Sequence, residues 1–138
     1  MKKQALSLIG VLSLLLVAGS AFSQSTIQGN VPFKFSVSNS TLPAGVYTIS
    51  PIGMQGVVLI QGQDKRAMKL VTPNAVQSVE RADRTKLVFH CYGGDHCFLY
   101  QLWIAGEERG RQLPKSNVEK ELAASLASKN VTIVAKAQ

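Results

Sequence analysis

The stretch His90-Cys91-Tyr92-Gly93-Gly94-Asp95-His96-Cys97 holds both cysteines and both histidines of the chain. Two thiols and two imidazoles are a donor set that zinc accepts. A thiolate can also act as a nucleophile or redox group, histidine serves acid–base chemistry near neutrality, and two thiols can close a disulfide. Strand geometry separates these options. If Gly93-Gly94-Asp95 forms a three-residue hairpin loop, with glycine in the left-handed position, Tyr92 faces His96 and Cys91 faces Cys97. Facing cysteines of that kind have Cα atoms about 4.5 Å apart, at the short end of the disulfide range. Neighbouring side chains on a strand point to opposite faces, so His90, Tyr92, His96, Phe98 and Tyr100 share the face away from both cysteines. One tetrahedral metal site would require the hairpin to break down. A two-residue turn would instead set Cys91 against His96 and prevent the disulfide.

The first expectation is therefore a Cys91–Cys97 disulfide, with no metal and no cofactor implied. The spacing is not Cys-x-x-Cys, and no helix N-terminus follows to lower a thiol pKa. The face carrying His90, Tyr92, His96, Phe98 and Tyr100 is the candidate binding surface. The same alternation places Trp103 with Leu99 and Cys97, where core packing accounts for it. Chemistry elsewhere is sparse. Glu107-Glu108 is a carboxylate pair on a polar turn, whereas glycosidase acids face one another across a cleft. There is no Gly-x-Ser-x-Gly elbow, phosphate loop, His-Glu-x-x-His or calcium loop, so no catalytic residue is assigned.

The elements that must position these groups read mainly as strands. Ile27 to Val37 alternates, with Val31, Phe33, Phe35 and Val37 on one face. Asn39 to Gly45 is turn material, punctuated by Pro43 and Gly45. Further strands are expected over Val46 to Ile52, Val57 to Gln61, Ala67 to Thr72, Ala75 to Glu80, Lys86 to Tyr92 and His96 to Ile104. Ser116-Asn117-Val118-Glu119 is a capping box, in which the serine oxygen accepts from a first-turn N–H while Glu119 reaches back. Val118, Leu122 and Leu126 then form one apolar stripe on a helix ending near Lys129-Asn130, laid against a sheet. Val131 to Ala135 returns to that sheet. The fold expected is mainly β, a small antiparallel barrel or sandwich with one α-helix in the C-terminal region.

The N-terminus bears on the compartment. Met1-Lys2-Lys3 precedes an apolar run from Ala5 to Val17, followed by small residues through Ser23. A positive start, an apolar middle too short to span a bilayer and a small-residue end describe a secretory signal peptide. Ala21 and Ser23 suit the small pockets of a signal peptidase, placing the cut between Ser23 and Gln24. Residues 24–138 then form a single β-rich domain with no membrane span after processing, secreted or periplasmic. The net charge of +7 includes Lys2 and Lys3. Acids interrupt every basic cluster, as in Asp64-Lys65-Arg66 and Glu80-Arg81-Ala82-Asp83-Arg84, so the basic stripe of a specific nucleic-acid binder is not seen.

The phrases Val31-Pro32-Phe33-Lys34-Phe35, Leu42-Pro43-Ala44-Gly45-Val46-Tyr47-Thr48, Leu87-Val88-Phe89-His90-Cys91-Tyr92-Gly93 and Leu113-Pro114-Lys115-Ser116, with Phe98-Leu99 and Trp103, resemble a family of small uncharacterised secreted bacterial proteins. The resemblance covers about Gln28 to Leu126. It implies a compact β domain with one helix and carries no established activity. It also implies that the disulfide is an embellishment of this chain, since other residues often stand at the two cysteine positions. The function expected is an exported, non-enzymatic binding or structural module of the bacterial periplasm or cell exterior, with a cell-envelope protein or glycan as the class of partner. The competing expectation is a small secreted hydrolase or metal-dependent enzyme using His90, His96 and Asp95.

Overall fold

The computed structural model describes residues 26–52 and 56–137. The expected leader, with its cut between Ser23 and Gln24, lies outside the described residues. The strands are β1 (Ile27–Val31), β2 (Phe35–Val37), β3 (Ser40–Leu42), β4 (Gly45–Pro51), β5 (Val58–Gly62), β6 (Met68–Val71), β7 (Asn74–Gln77), β8 (Lys86–Tyr92), β9 (His96–Trp103), β10 (Arg109–Gln112), β11 (Ser128–Val134) and β12 (Lys136–Ala137). One helix, α1 (Asn117–Ser125), precedes β11. The strands form two sheets, ordered β12-β1-β4-β5-β6 and β11-β8-β9-β10-β7, with the β2–β3 hairpin attached to the second by β2 running parallel to β9. The fold is a sandwich, not a closed barrel.

The chain passes between sheets at points where its sequence cannot sustain a ladder. The alternation of Ile27 to Val37 predicts one strand, but it is cut in two, β1 in the first sheet and β2 in the second. Pro32 sits at the break and has no N–H to offer a ladder. Val31, Phe35 and Val37 still reach the common core, and Phe33 packs at its margin. The stretch expected as turn material contains β3, which pairs with β2 across a bend at Ser38-Asn39, where Ser38 has φ 53°. Further passages occur at Pro73, between β6 and β7, and at Ala135, between β11 and β12.

The core fills the space between the sheets. Phe35 meets Tyr47 edge-to-face at 5.0 Å and Phe89 at 5.4 Å, and Phe89 also meets Phe33 at 5.1 Å. Ile49, Val58, Ile60, Leu87, Leu99 and Leu102 are among the aliphatic residues packed with them. Burying an aliphatic side chain of this size contributes roughly 1.5–3 kcal/mol. The Tyr47 hydroxyl lies at the margin and donates to the Pro43 carbonyl at 2.6 Å, fixing the Leu42–Gly45 bend to its own strand.

The helix departs from expectation in length and in phase. It ends at Ser125, and β11 begins at Ser128 and pairs along β8. The Ser116 hydroxyl caps it by accepting from the Glu119 N–H at 3.2 Å. Val118 and Leu126 are exposed, and the buried helical residue is Glu119. The expected apolar stripe is therefore not the face on the sheet: a polar bond under the helix, described below, sets its rotation.

Candidate functional site

The hairpin register agrees with the three-residue loop. Tyr92 pairs with His96, Cys91 with Cys97 and His90 with Phe98. Gly93 and Gly94 take φ 62° and 97° in the loop, a region glycine enters without steric cost. Cys91 and Cys97 form a disulfide with Cα atoms 4.0 Å apart, on the core side. Closing a loop of sequence separation 6 removes little chain entropy, so its loss should cost about 2 kcal/mol. A Cys91→Ser/Cys97→Ser variant is expected to unfold at lower denaturant by that amount. A midpoint equal to that of the oxidised parent would show that the bond contributes nothing.

The face opposite the cysteines holds the expected residues together, but largely covered. Tyr92 is 1% exposed and Phe98 5%, their rings meeting edge-to-face at 5.8 Å. His90 is stacked on Tyr100 with ring centres 3.7 Å apart. Only His96 stands well out, with Asp95 at 3.6 Å. The cover includes α1. The Tyr92 hydroxyl donates to Glu119 Oε2 at 2.8 Å, and His90 Nδ1 lies 3.5 Å from the same oxygen. Among the described residues His90 Nδ1 makes no hydrogen bond, so its approach to Glu119 is an electrostatic contact only. Burial, then the Glu119 hydrogen bond and charge, push the Tyr92 phenol up to about 12. Tyr92 and Phe98 thus belong to an inner layer rather than to a recognition surface.

Glu119 is the residue that sequence reasoning misplaced. The capping box gave it a backward reach to the helix start, while its carboxylate is directed down onto Tyr92. A 27-residue separation hides this partner from any local pattern. The two histidines also have different neighbours, His90 with Glu119 and His96 with Asp95. Among the described residues no group of three or more His, Cys, Asp or Glu side chains is placed to hold a metal ion.

A second correction concerns Trp103. Val88 pairs with Gln101 but Phe89 with Leu99, leaving Tyr100 as an extra residue in β9. This bulge shifts the alternation by one. Leu102 therefore enters the core, and Trp103 lies on the outer face instead of joining Leu99 and Cys97. Its indole N–H donates to Gln101 Oε1 at 3.0 Å, and Gln101 Nε2 donates to Gln112 Oε1 at 2.8 Å. The ring lies over Gly110 so closely that a Cβ there would come within 2.7 Å of it. Glycine is required at that position by close approach.

Trp103 over Gly110 fixes the phase of β10. With Gly110 outward, Arg111 pairs with core-facing Leu102 and points inward, and Arg109 shares its side. Both arginines line a cavity of about 400 Å³ between the sheets, beside the Pro73 passage. Ile27, Ile49 and Val58 form one wall, and Leu102 and Ile104 the other. Nothing in the local sequence marks Arg109 and Arg111 as inward-facing, because the signal is the bulge in the neighbouring strand.

Comparison with protein-family models, curated proteins and solved structures gives no match, so the resemblance to secreted bacterial proteins rests on the quoted phrases alone.

Proposed function

We propose that this chain is an exported, non-enzymatic binding module of the bacterial periplasm or cell exterior. The observation that carries the reading is the way the reactive groups of the hairpin are used. Both thiols are joined to each other, and the Glu119 carboxylate is buried against the Tyr92 hydroxyl. Those groups hold the sheet and helix together, while an apolar cavity stands between the sheets. Concave, mostly apolar sites with a few polar groups are where small ligands are held. The disulfide supports an oxidising compartment, in line with the leader read at Met1 to Ser23.

A native mass spectrum of the protein recovered from the envelope fraction of its own host tests this directly. The expected species starts at Gln24, is two hydrogens lighter than the dithiol and retains a molecule chemically unchanged by incubation. Recovery in the cytoplasm with residues 1–23 attached would overturn the exported reading. A retained metal ion with turnover of an ester or amide would overturn the non-enzymatic one, and would favour the histidine-bearing hairpin.

A further inference from the structure

A guanidinium pointing into the apolar interior of a sandwich is unusual unless something answers its charge. Half-buried Arg111 does so from β10, with Arg109 beside it at the rim. Among the described residues no carboxylate lies within 4.0 Å of either guanidinium, the four close ion pairs being made by Arg81, Arg84, His90 and His96. Inward charges are a known device for blunting exposed sheet edges. That purpose is not served here, because β10 is an inner strand flanked by β9 and β7. Glu107 lines the same cavity from the turn before β10. The rim therefore carries two positive groups against one negative.

We infer that the cavity between the sheets takes an amphiphilic anion, its hydrocarbon part against the accessible Pro51, Pro73, Ala75 and Ile104 and its anionic oxygens on Arg111 and Arg109. The inference rests on the binding-module reading and adds the class of ligand. Burial of a hydrocarbon in this space removes apolar surface from water on both sides. Arginine presents a planar fork of donors that matches a carboxylate or a phosphate, and the low dielectric of the cavity mouth strengthens the pairing. A ligand without the anion would leave a half-buried charge unanswered; one without the hydrocarbon would leave Pro51, Pro73, Ala75 and Ile104 facing water.

The test is calorimetric titration of the purified, disulfide-bonded protein with dodecanoate, dodecyl phosphate and dodecanol, each below its aggregation limit. Both anions are expected to bind at least tenfold more tightly than the alcohol. If dodecanoate is the tighter of the two, the source is a free alkyl carboxylate; if dodecyl phosphate is, the source is a phospholipid-type headgroup. Arg109→Gln/Arg111→Gln should weaken anion binding at least tenfold and leave dodecanol within twofold. Pro51→Phe, which adds a ring to the cavity wall from β4 in the opposite sheet, should weaken all three. Circular dichroism matching the parent shows that each variant is folded. Equal binding of alcohol and anions, or anion binding unchanged in the folded double arginine variant, would overturn the inference. So would a neutral molecule, a sugar or a protein retained by the natural material, and that outcome would leave the binding-module reading standing.

Discussion

Phe89→Ala is expected to lower the stability of the fold by about 4 kcal/mol, within the range for deleting a buried aromatic ring. Phe89 is 0% exposed and meets Phe33, next to Pro32 in the passage, and Phe35, the first residue of β2, edge-to-face. Its removal opens a void where the two sheets and the β2–β3 hairpin come together. Edge-to-face pairs add about 0.5–1.5 kcal/mol each beyond the area they bury. A domain of this size has only about 5–15 kcal/mol in all, so the variant should unfold well below the parent on heating. Guanidinium unfolding measures the loss. Phe89→Leu, which refills most of the space, should recover more than half of it. A cost under about 1.5 kcal/mol for the alanine variant would mean that the sheets close over the void, contrary to a core held by these rings.

Tyr92→Phe should cost about 3 kcal/mol, although it removes a single oxygen. The hydroxyl lost is a hydrogen-bond donor to a carboxylate that is itself 4% exposed. A hydrogen bond to a charged group contributes about 1.5–3 kcal/mol, and a stranded buried acceptor costs more than the bond alone. Replacing both partners by apolar groups is far less damaging than replacing one. The double variant Tyr92→Phe/Glu119→Leu should therefore be more stable than Tyr92→Phe. If the double variant is the weaker of the two, the bond is not what holds α1 to the sheet.

The same phenol gives an alkaline signature. Its pKa is raised from 10.0 to about 12 in the folded protein, and burial also raises that of Tyr47. A raised pKa means that the unfolded chain releases the proton first. The stabilisation is complete below about pH 10 and disappears as pH climbs through about 12. Unfolding curves between those limits should fall less steeply for Tyr92→Phe than for the parent.

What the sequence made legible was local. Gly93-Gly94-Asp95 carried enough turn chemistry to set the register of β8 on β9, and with it the cysteine pairing. Ser116 marked the helix start because an N-cap is read from its own first turn. The failures all involve contacts distant along the chain. A smooth alternation through Ile27 to Val37 gave no sign that two sheets share it, and the sandwich could not be told from a barrel until the passages at Pro32, Pro73 and Ala135 were seen. The helix was phased by its aliphatic residues, but the bond from Tyr92 to Glu119 decided its rotation. In the candidate surface His90 stacks on Tyr100 and Tyr92 meets Phe98, but Tyr92 and Phe98 are buried, since alternation assigns a face without saying what covers it.

The extra residue at Tyr100 is also a reserve of length in β9. Leu99 and Leu102 both face the core with two residues between them, so Tyr100 and Gln101 share the outer side. Removing Tyr100 alone would close the ladder into plain alternation, with Gln101 still on Val88, Leu102 on Leu87 and Trp103 on Lys86. What would be lost is the ring stacked on His90. Chains descended from this one can therefore shed one residue at the bulge and keep their inside and outside. A second single loss has no such reserve and would exchange the two faces of whatever follows it.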